Sequence, residues 1–563
     1  MSRSVSFKHY KPSSPAKPPQ AMSVKLTDVE QQVCDLLDEC KRDLEEKGQR
    51  VECRIAGGWV RDKLLGSESN DIDIALSDMM GVTFAEHFVS FVSSKGFPVK
   101  AVAKIARNPE QSKHLETAKT TVLGLELDFV NLRSEEYAEN SRIPTQIRFG
   151  TPLEDALRRD ITINALFYNV HSRLVEDHTG KGLEDLKNGI IRTPLPPKET
   201  FKDDPLRVIR CVRFASRFGF QLVPELEEAA RDNEIQLAVA SKISRERVGE
   251  ELDKMLKGRD PLHAVQLING LCLQPSLFSV PTIVASTFSA QPFQFESSLG
   301  AASILHGLTT SPTSLSLPPL HHLLTSQIST DISAKPRLYL SSILTPYKGI
   351  TYIEKKKIRP AVEAAIREGL KMGAQNHYLD GIPALFLSAE LLSEPNLDKF
   401  PEPSQRVKIG LLLRDKLVHN ANTGSHWTSS LLFSLVQDLV RFWDPENDAF
   451  EVTPAIRCVD VYNSFAQRVE DLDLVSSIDA RPIVDGREVL TALGINMPGS
   501  WTGQVLSKII EWQLQHPAGS KDECIVWLKG QQAEGVIVTD DGPSQKRLKS
   551  SKDDGRAKKP RRD

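Results

Sequence analysis

The chain of 563 residues has little of what would tie it to a membrane, an oxidising compartment or a bulk polyanion. No run of 18 apolar residues occurs, so no helical membrane span is expected and no membrane partner is assigned. The seven cysteines (Cys34, Cys40, Cys53, Cys211, Cys272, Cys458 and Cys524) are scattered and odd in number. They form neither a CxxC pair nor a Cys/His cluster at zinc spacing, which excludes a disulfide scaffold and reads as thiols of a reducing compartment. Charge of one sign is also missing: 71 basic against 74 acidic residues leave −3, so any nucleic-acid surface must be local. Apolar residues at 40% and charged residues at 26% describe a globular protein, and the length allows up to roughly four domains.

Up to residue 25 the N-terminus carries Arg3, Lys8, Lys11, Lys17 and Lys25 and no acid. A disordered tail is expected there. A mitochondrial presequence is the alternative, which Pro12, Pro15, Pro18 and Pro19 oppose by breaking the amphipathic helix an import signal needs. Helical periodicity begins at Leu26, Val29, Val33, Leu36 and Leu37, and strand patterns follow at 71–76, 99–105, 120–123, 125–132 and 166–169, so 26–195 reads as one mixed α/β domain. After Pro194, Pro196 and Pro197 the spacing becomes helical, over 196–270 and again over 271–530. A Ser/Thr/Pro/Leu-rich stretch near 274–336, poor in charge, is expected to be a loop-rich and partly disordered insertion. The basic end, 531–563, cannot form a core and reads as disordered, with a nuclear localisation signal or a loose RNA-binding arm as further readings.

The densest chemical signal is Arg54 to Leu76, RIAGGWVRDKLLGSESNDIDIAL. It reads as a strand ending at Gly57-Gly58, a turn free of side chains, a helix carrying Arg61, and a second strand bearing Asp71 and Asp73. Paired glycines at a helix start let backbone N–H groups approach phosphate oxygens, and Arg61 can place its fork on the same phosphates. On a strand, Asp71 and Asp73 share one face and Ile72 and Ile74 the other, an arrangement suited to Mg²⁺. Taken singly, the glycine pair is an ordinary turn and the acids a solvated strand end.

Together these pieces resemble the nucleotidyltransferase signature of the DNA polymerase β superfamily. Further matches resemble the class II family of CCA-adding tRNA nucleotidyltransferases and bacterial poly(A) polymerases. LRRDITINALFYN (157–169) is similar to that family's RRDFTINAL motif, and VEDHTGKGLEDLKNGIIR (175–192) to its third motif. FKDDPLRVIRCVRF (201–214) is similar to the EDxxR motif, and RERVGEELDKML (245–256) to the helical fifth. All occur in family order, and the strings AGGWVRDKLLG, SKHLETAKT and DFVNLRSEEY resemble eukaryotic CCA-adding enzymes. The implied fold is α/β plus all-α: a mixed-sheet nucleotidyltransferase head (26–195), a helical neck (196–270), then a helical body and tail (271–530) that binds tRNA.

The resemblance implies template-independent addition of CMP and AMP from CTP and ATP to the tRNA 3′ end, with release of pyrophosphate. Asp71 and Asp73 would hold two Mg²⁺ ions, with Asp128 rather than Glu126 as third carboxylate in the alternating LELDFV. Arg158 and Arg159 suit triphosphate oxygens, while Asp160 and Asn164, four apart on an expected helix, suit ribose hydroxyls. Asp204 and Arg207 would read the Watson–Crick edge shared by cytosine and adenine, an amino donor beside a ring-nitrogen acceptor, which uracil and guanine reverse. Asp203 stands where the motif usually has Glu. The segment 107–118 corresponds to the family's flexible loop. Lys355, Lys356, Lys357 and Arg359 either track acceptor-stem phosphates or form a solvated helix face. A poly(A) polymerase, an enzyme adding only CC or only A, and an inactive RNA-binding protein are the alternatives. A monomer or weak dimer is expected, located in cytoplasm and nucleus with a mitochondrial share as a further option.

Overall fold

The computed structural model describes residues 4–8, 13–17, 22–105, 117–137 and 144–537. The flexible loop lies almost wholly outside them, as does the basic end beyond 537. The described residues fall into two units, one up to Pro395 with Lys416–Ala466, the other Asn396–Asp415 with the chain from Gln467.

The first unit opens on a seven-stranded sheet of β1 (Cys53–Ala56), β2 (Asp71–Leu76), β3 (Ala103–Ile105), β4 (Thr117–Val122), β5 (Leu125–Asn131), β6 (Phe167–Asn169) and β7 (Leu174–Glu176). Their order is β7-β6-β1-β2-β5-β4-β3, and the one parallel pair is β2 with β5. Alternation decides what each face meets. Ile72, Ile74, Leu127 and Phe129 are buried, and Phe129 meets Phe84 and Phe88 of α3 (Gly81–Ser94) at 5.4 and 5.8 Å between ring centres. On the neighbouring positions stand the acids. Helix α1 (Asp28–Glu46) starts at a Thr27/Glu30 capping box. The same Glu30 accepts from Trp59 Nε1 at 3.1 Å and pairs with Lys63 at 2.8 Å, which fixes α2 (Gly58–Leu64) against α1.

After α4 (Pro152–Leu157) and the last sheet strands the chain turns helical. Of the neck helices, α5 (Pro197–Asp203), α6 (Leu206–Phe218) and α7 (Arg245–Leu256), the last two pack together. The body is built on α8 (Ser297–Thr310), α9 (Ala334–Ile343), α10 (Tyr378–Leu391) and α11 (Trp427–Leu439), with α8 on α9 and α10 on α11. In the second unit, helices Gly486–Leu493, Ser500–Gln515 and Lys521–Ala533 close around Trp501, Val505, Ile509, Trp512 and Leu528. Ile537 joins that core, so the chain is packed beyond the boundary expected at 531.

Two stretches expected to be loose are ordered. The insertion near 274–336 is largely helical, and α8 within it is buried on every side from Ser298 to Leu305. A helix surrounded by protein has no polar face, so its lack of charge and of amphipathic period mimics a loop. Two of its hydroxyls are satisfied by carbonyls, Ser298 donating to Ile343 at 2.6 Å and Thr310 to His306 at 2.6 Å, while Ser303 Oγ is buried without a partner. Within the N-terminal tail, the described residues 4–8 and 13–17 form a strap. Ser4–Val5 pairs antiparallel with Phe450–Glu451, and Phe7 is buried against Trp443 and Phe450. Asp448 accepts from the N–H groups of Phe7 and Lys8 at 2.9 and 3.0 Å.

The basic run Lys355–Lys357 with Arg359 forms a hairpin of β8 (Thr351–Glu354) and β9 (Lys357–Pro360), not a helix. Lys355 and Lys356 hold the turn with φ of +48° and +65°, and Arg359 is engaged by Glu354 at 3.1 Å and Glu363 at 2.6 Å. Arg359 is therefore a brace of the hairpin.

The burial of α8 is testable at Gly300, where an added Cβ would come within 2.4 Å of the Trp443 ring. Gly300→Leu should lower stability by about 1–3 kcal/mol in urea unfolding. An unchanged midpoint would restore the loop reading.

Candidate active site

Register brings the acids together. In the parallel pairing of β2 with β5, Asp73 stands opposite Asp128 and Asp71 opposite Glu126. One oxygen from each of Asp71, Asp73 and Asp128 lies within 4.8 Å of the others. Asp128 Oδ1 is buried without a hydrogen-bond partner, while its other oxygen sits 3.3 Å from Lys119 on β4. Burial first, and the Asp71 charge second, push Asp73 up to about 6 from an ordinary 3.8. Asp128 is on an interior strand, so its exposure to water is set by the cleft and not by a sheet edge.

Beside this trio Gly57 turns the chain from β1 into α2 with φ of +72°, a conformation that favours glycine. A Cβ on Gly57 would meet Arg159 Nη1 at 2.8 Å, so the turn admits this guanidinium only because it lacks a side chain. Arg159 is held by Asp155 Oδ2 through Nε and Nη2, at 3.0 and 2.9 Å, and by the Asn164 carbonyl at 3.0 Å. Its guanidinium lies 5.0 Å from the Phe167 ring centre. Arg158 uses the other oxygen of Asp155, at 2.8 Å from Nε. Burial alone would raise Asp155, but Arg159 and Arg158 outweigh it and hold it ionised below its ordinary range. Asp155 thus aims both arginines.

The expected helix through Asp160 and Asn164 does not form. Helix α4 stops at Leu157, Ile161 is extended, and a 3₁₀ turn covers Thr162–Asn164. The two side chains still meet, with Asn164 Nδ2 donating to Asp160 Oδ1 at 3.0 Å. Asp160 also accepts from Ile161 N at 2.9 Å and from Arg210 Nε and Nη2 at 2.7 Å each. Four donors fill the four acceptor positions of a carboxylate, leaving none for a ribose hydroxyl. Although burial opposes ionisation, Arg210 and these hydrogen bonds hold Asp160 down to about 2.

Arg61, expected on phosphates, is turned into the protein instead. It is 3% exposed, bonded to Asp62 at 2.8 Å and to Asn164 Oδ1, and stacked 5.1 and 4.9 Å from the rings of Phe214 and Phe218. The run Arg210–Asp160–Asn164–Arg61–Asp62 is therefore one buried network joining the second sequence motif to α6.

Asp204 and Arg207 lie one turn apart across the junction of α5 and α6, where the Arg207 N–H donates to the Asp204 carbonyl at 3.0 Å. Arg207 Nη2 donates to the Arg158 carbonyl at 2.6 Å, tying the pair to the arginines beside the acids. Asp204 accepts from Leu206 N at 3.2 Å and from Arg247 of α7 at 3.1 Å, so, unlike Asp160, it keeps acceptor capacity. Four residues escaped the sequence reading: Lys119, Asp155, Arg210 and Arg247. Asp155 and Arg210 stand three residues from Arg158 and Arg207, a spacing that marks shared helix faces. Lys119 and Arg247 are brought in by strand pairing and helix packing.

Three carboxylates on paired strands beside a glycine elbow, with a helical neck behind, define a nucleotidyltransferase of the polymerase β type. Residues 53–192 match the Poly A polymerase head domain. The chain is 38% identical over 540 residues to the mitochondrial CCA tRNA nucleotidyltransferase of Saccharomyces cerevisiae, covering 90% of this chain and 94% of that protein. It is 34% identical to the tRNA nucleotidyltransferase cca1 of Schizosaccharomyces pombe, covering 91% and 98%. A Thermotoga maritima CCA-adding enzyme complexed with tRNA shares the fold with a TM-score of 0.54 at 18% identity, over 89% of this chain and 96% of that one. The chain belongs to the CCA tRNA nucleotidyltransferase family and is an enzyme of it. Its head matches a model named for poly(A) polymerase, but relatives matched along nearly their whole length include CCA tRNA nucleotidyltransferases.

The crowding at Asp73 has a signed consequence for stability. Its native value lies above the unfolded one, so the penalty is absent below about pH 4, grows between about 4 and 6, and is complete above that range. In chelator-treated protein, Asp73→Asn should raise unfolding stability above about pH 7 by up to about 3 kcal/mol, and leave it unchanged near pH 4. Equal effects at both pH values would contradict the assignment.

Proposed function

We propose that this enzyme adds C, C and A to the 3′ end of tRNA from CTP and ATP, releasing pyrophosphate. The observation that carries the chemistry is the acidic trio, whose oxygens lie within reach of one another and include the partnerless Asp128 Oδ1. Asp71, Asp73 and Asp128 fit two Mg²⁺ ions, hard cations that take carboxylate oxygens and keep positions for water and phosphate. Bound there, the ions would acidify the tRNA 3′ hydroxyl and neutralise the triphosphate and its leaving group.

The chain's own residues then orient the substrates. Arg158 and Arg159, aimed by Asp155, hold triphosphate oxygens in line with the attacking hydroxyl. The Gly57-Gly58 turn leaves room for that approach. Asn164 is the remaining candidate for ribose contact, with Asp160 and Arg61 as positioning residues that fix its amide. Asp204 accepts from the exocyclic amine of cytosine or adenine, and Arg207 donates to the adjacent ring nitrogen, so a pair of side chains stands where a template base would. Uracil and guanine would leave both contacts mismatched, at about 1–3 kcal/mol each. Lys355, Lys356 and Lys357 at the hairpin turn remain candidates for tRNA phosphates. We place the enzyme as a monomer or weak dimer in cytoplasm and nucleus, with a mitochondrial share in keeping with its relatives' names.

Incubating pure protein with tRNA lacking its 3′ end and each labelled triphosphate tests the reading. Two C additions, one A and then arrest are expected; long adenylate tracts would favour a poly(A) polymerase. In the same assay Arg207→Ala should narrow the preference for CTP over UTP by about 10–100-fold, and undiminished preference would remove the protein template.

A further inference from the structure

A second hollow, of about 700 Å³, is walled by α6, α7, the turn after α2 and the N-terminal strap. None of its lining residues belongs to the nucleotide-binding set. Six of them are cations, Lys17, Arg213, Arg217, Lys254, Lys257 and Arg259, and none is an acid. Acids outside the lining engage four: Glu251 holds Arg213 and, at 3.2 Å, Lys254; Asp62 holds Arg217 at 3.4 Å; and Asp253 holds Lys257 at 2.8 Å. Three acids do not balance six cations, so the hollow keeps a positive surplus. Lys17, Lys254, Lys257 and Arg259 are exposed, free to change partner at little cost.

The cations are spaced as well as numerous. Arg213 and Arg217 are four apart on α6, and Lys254 of α7 and its C-cap residue Lys257 are three apart, so each helix presents charges about one turn from the next. Cations repeated at that interval, all but Arg213 exposed, suit a polyanionic strand, whose several phosphates they meet at once. A small anion would call instead for convergent buried donors, which this wall lacks. The strap completes the site: Ser13 N donates to Asp260 at 2.9 Å, Ala16 N to the Phe218 carbonyl at 2.8 Å, and Arg259 to the Ser14 carbonyl at 2.7 Å, which delivers Lys17 to the rim. Leu65 and Ser67, in the segment leading to Asp71, also line the hollow.

We infer that this hollow is a docking groove for the sugar-phosphate backbone of tRNA, separate from the nucleotide site and completed by the N-terminal strap. The inference rests on tRNA being the substrate. The full-length triple variant Lys17→Gln/Lys254→Gln/Lys257→Gln removes three exposed charges, breaking the Lys254–Glu251 and Lys257–Asp253 contacts while Glu251 keeps Arg213; the matching Lys→Arg triple keeps the charge. Binding of tRNA lacking its 3′ CCA is measured against salt, together with KM for CTP. At about 0.15 M salt the Gln triple should bind tRNA at least about tenfold more weakly, with a salt slope lower by about 2–3, while the Arg triple and KM for CTP stay at wild-type values. Unchanged tRNA affinity and slope would overturn the groove, as would a raised KM for CTP with tRNA affinity intact, which would mark a nucleotide-phosphate site. Because binding is read without turnover, wild-type protein that shows this salt dependence yet adds no nucleotide would sink the functional reading and leave the groove standing.

Discussion

The parallel pairing of Asp71–Leu76 with Leu125–Asn131 is the constraint on which the rest of the molecule depends. Ladder register and side-chain alternation leave three carboxylates no choice but to share one face, because the opposite face is committed to Ile72, Ile74, Leu127 and Phe129. Like charges so placed repel, and the elevated Asp73 records the cost. A cation among the three carboxylates would relieve that repulsion.

Around that trio most functional side chains are fixed by others and not by their own packing. Asp155 aims two arginines, Asp160 is saturated by the Arg210 fork and its own loop, and Arg247 steadies Asp204. These contacts run from head to neck, so the groups assigned to phosphate and to base are parts of one polar framework. Arg207 bonded to the Arg158 carbonyl is the direct link between the two groups. Asp204 and Arg207 cannot drift relative to Arg158 unless hydrogen bonds of this framework break.

The head was largely legible in the sequence because its signals are local. The Gly57-Gly58 turn, the Asp71/Asp73 alternation and the Asp128 strand follow from period two and from glycine's freedom at positive φ. What escaped depends on neighbours distant in the chain. Helix α8 is uncharged because protein surrounds it, and nothing within 297–310 says so. The strap is held by Phe7 against residues more than 400 positions away, against the grain of a proline-rich tail. Asp160 and Asn164 meet as expected, but through a 3₁₀ turn, and the arginine that claims Asp160 lies two motifs further on, in 201–214. Arg61 reads as a phosphate ligand until the two phenylalanines of α6 are folded beneath it.

The account stands or falls on one nucleotide touching both ends of the framework. A crystal structure of the enzyme with Mn²⁺ and a non-hydrolysable CTP analogue tests this directly. Anomalous density among Asp71, Asp73 and Asp128, with the cytosine edge against Asp204 and Arg207 of the same molecule, is the predicted result. Metal bound elsewhere, or a base turned away from that pair while its phosphates occupy the cleft, would contradict it.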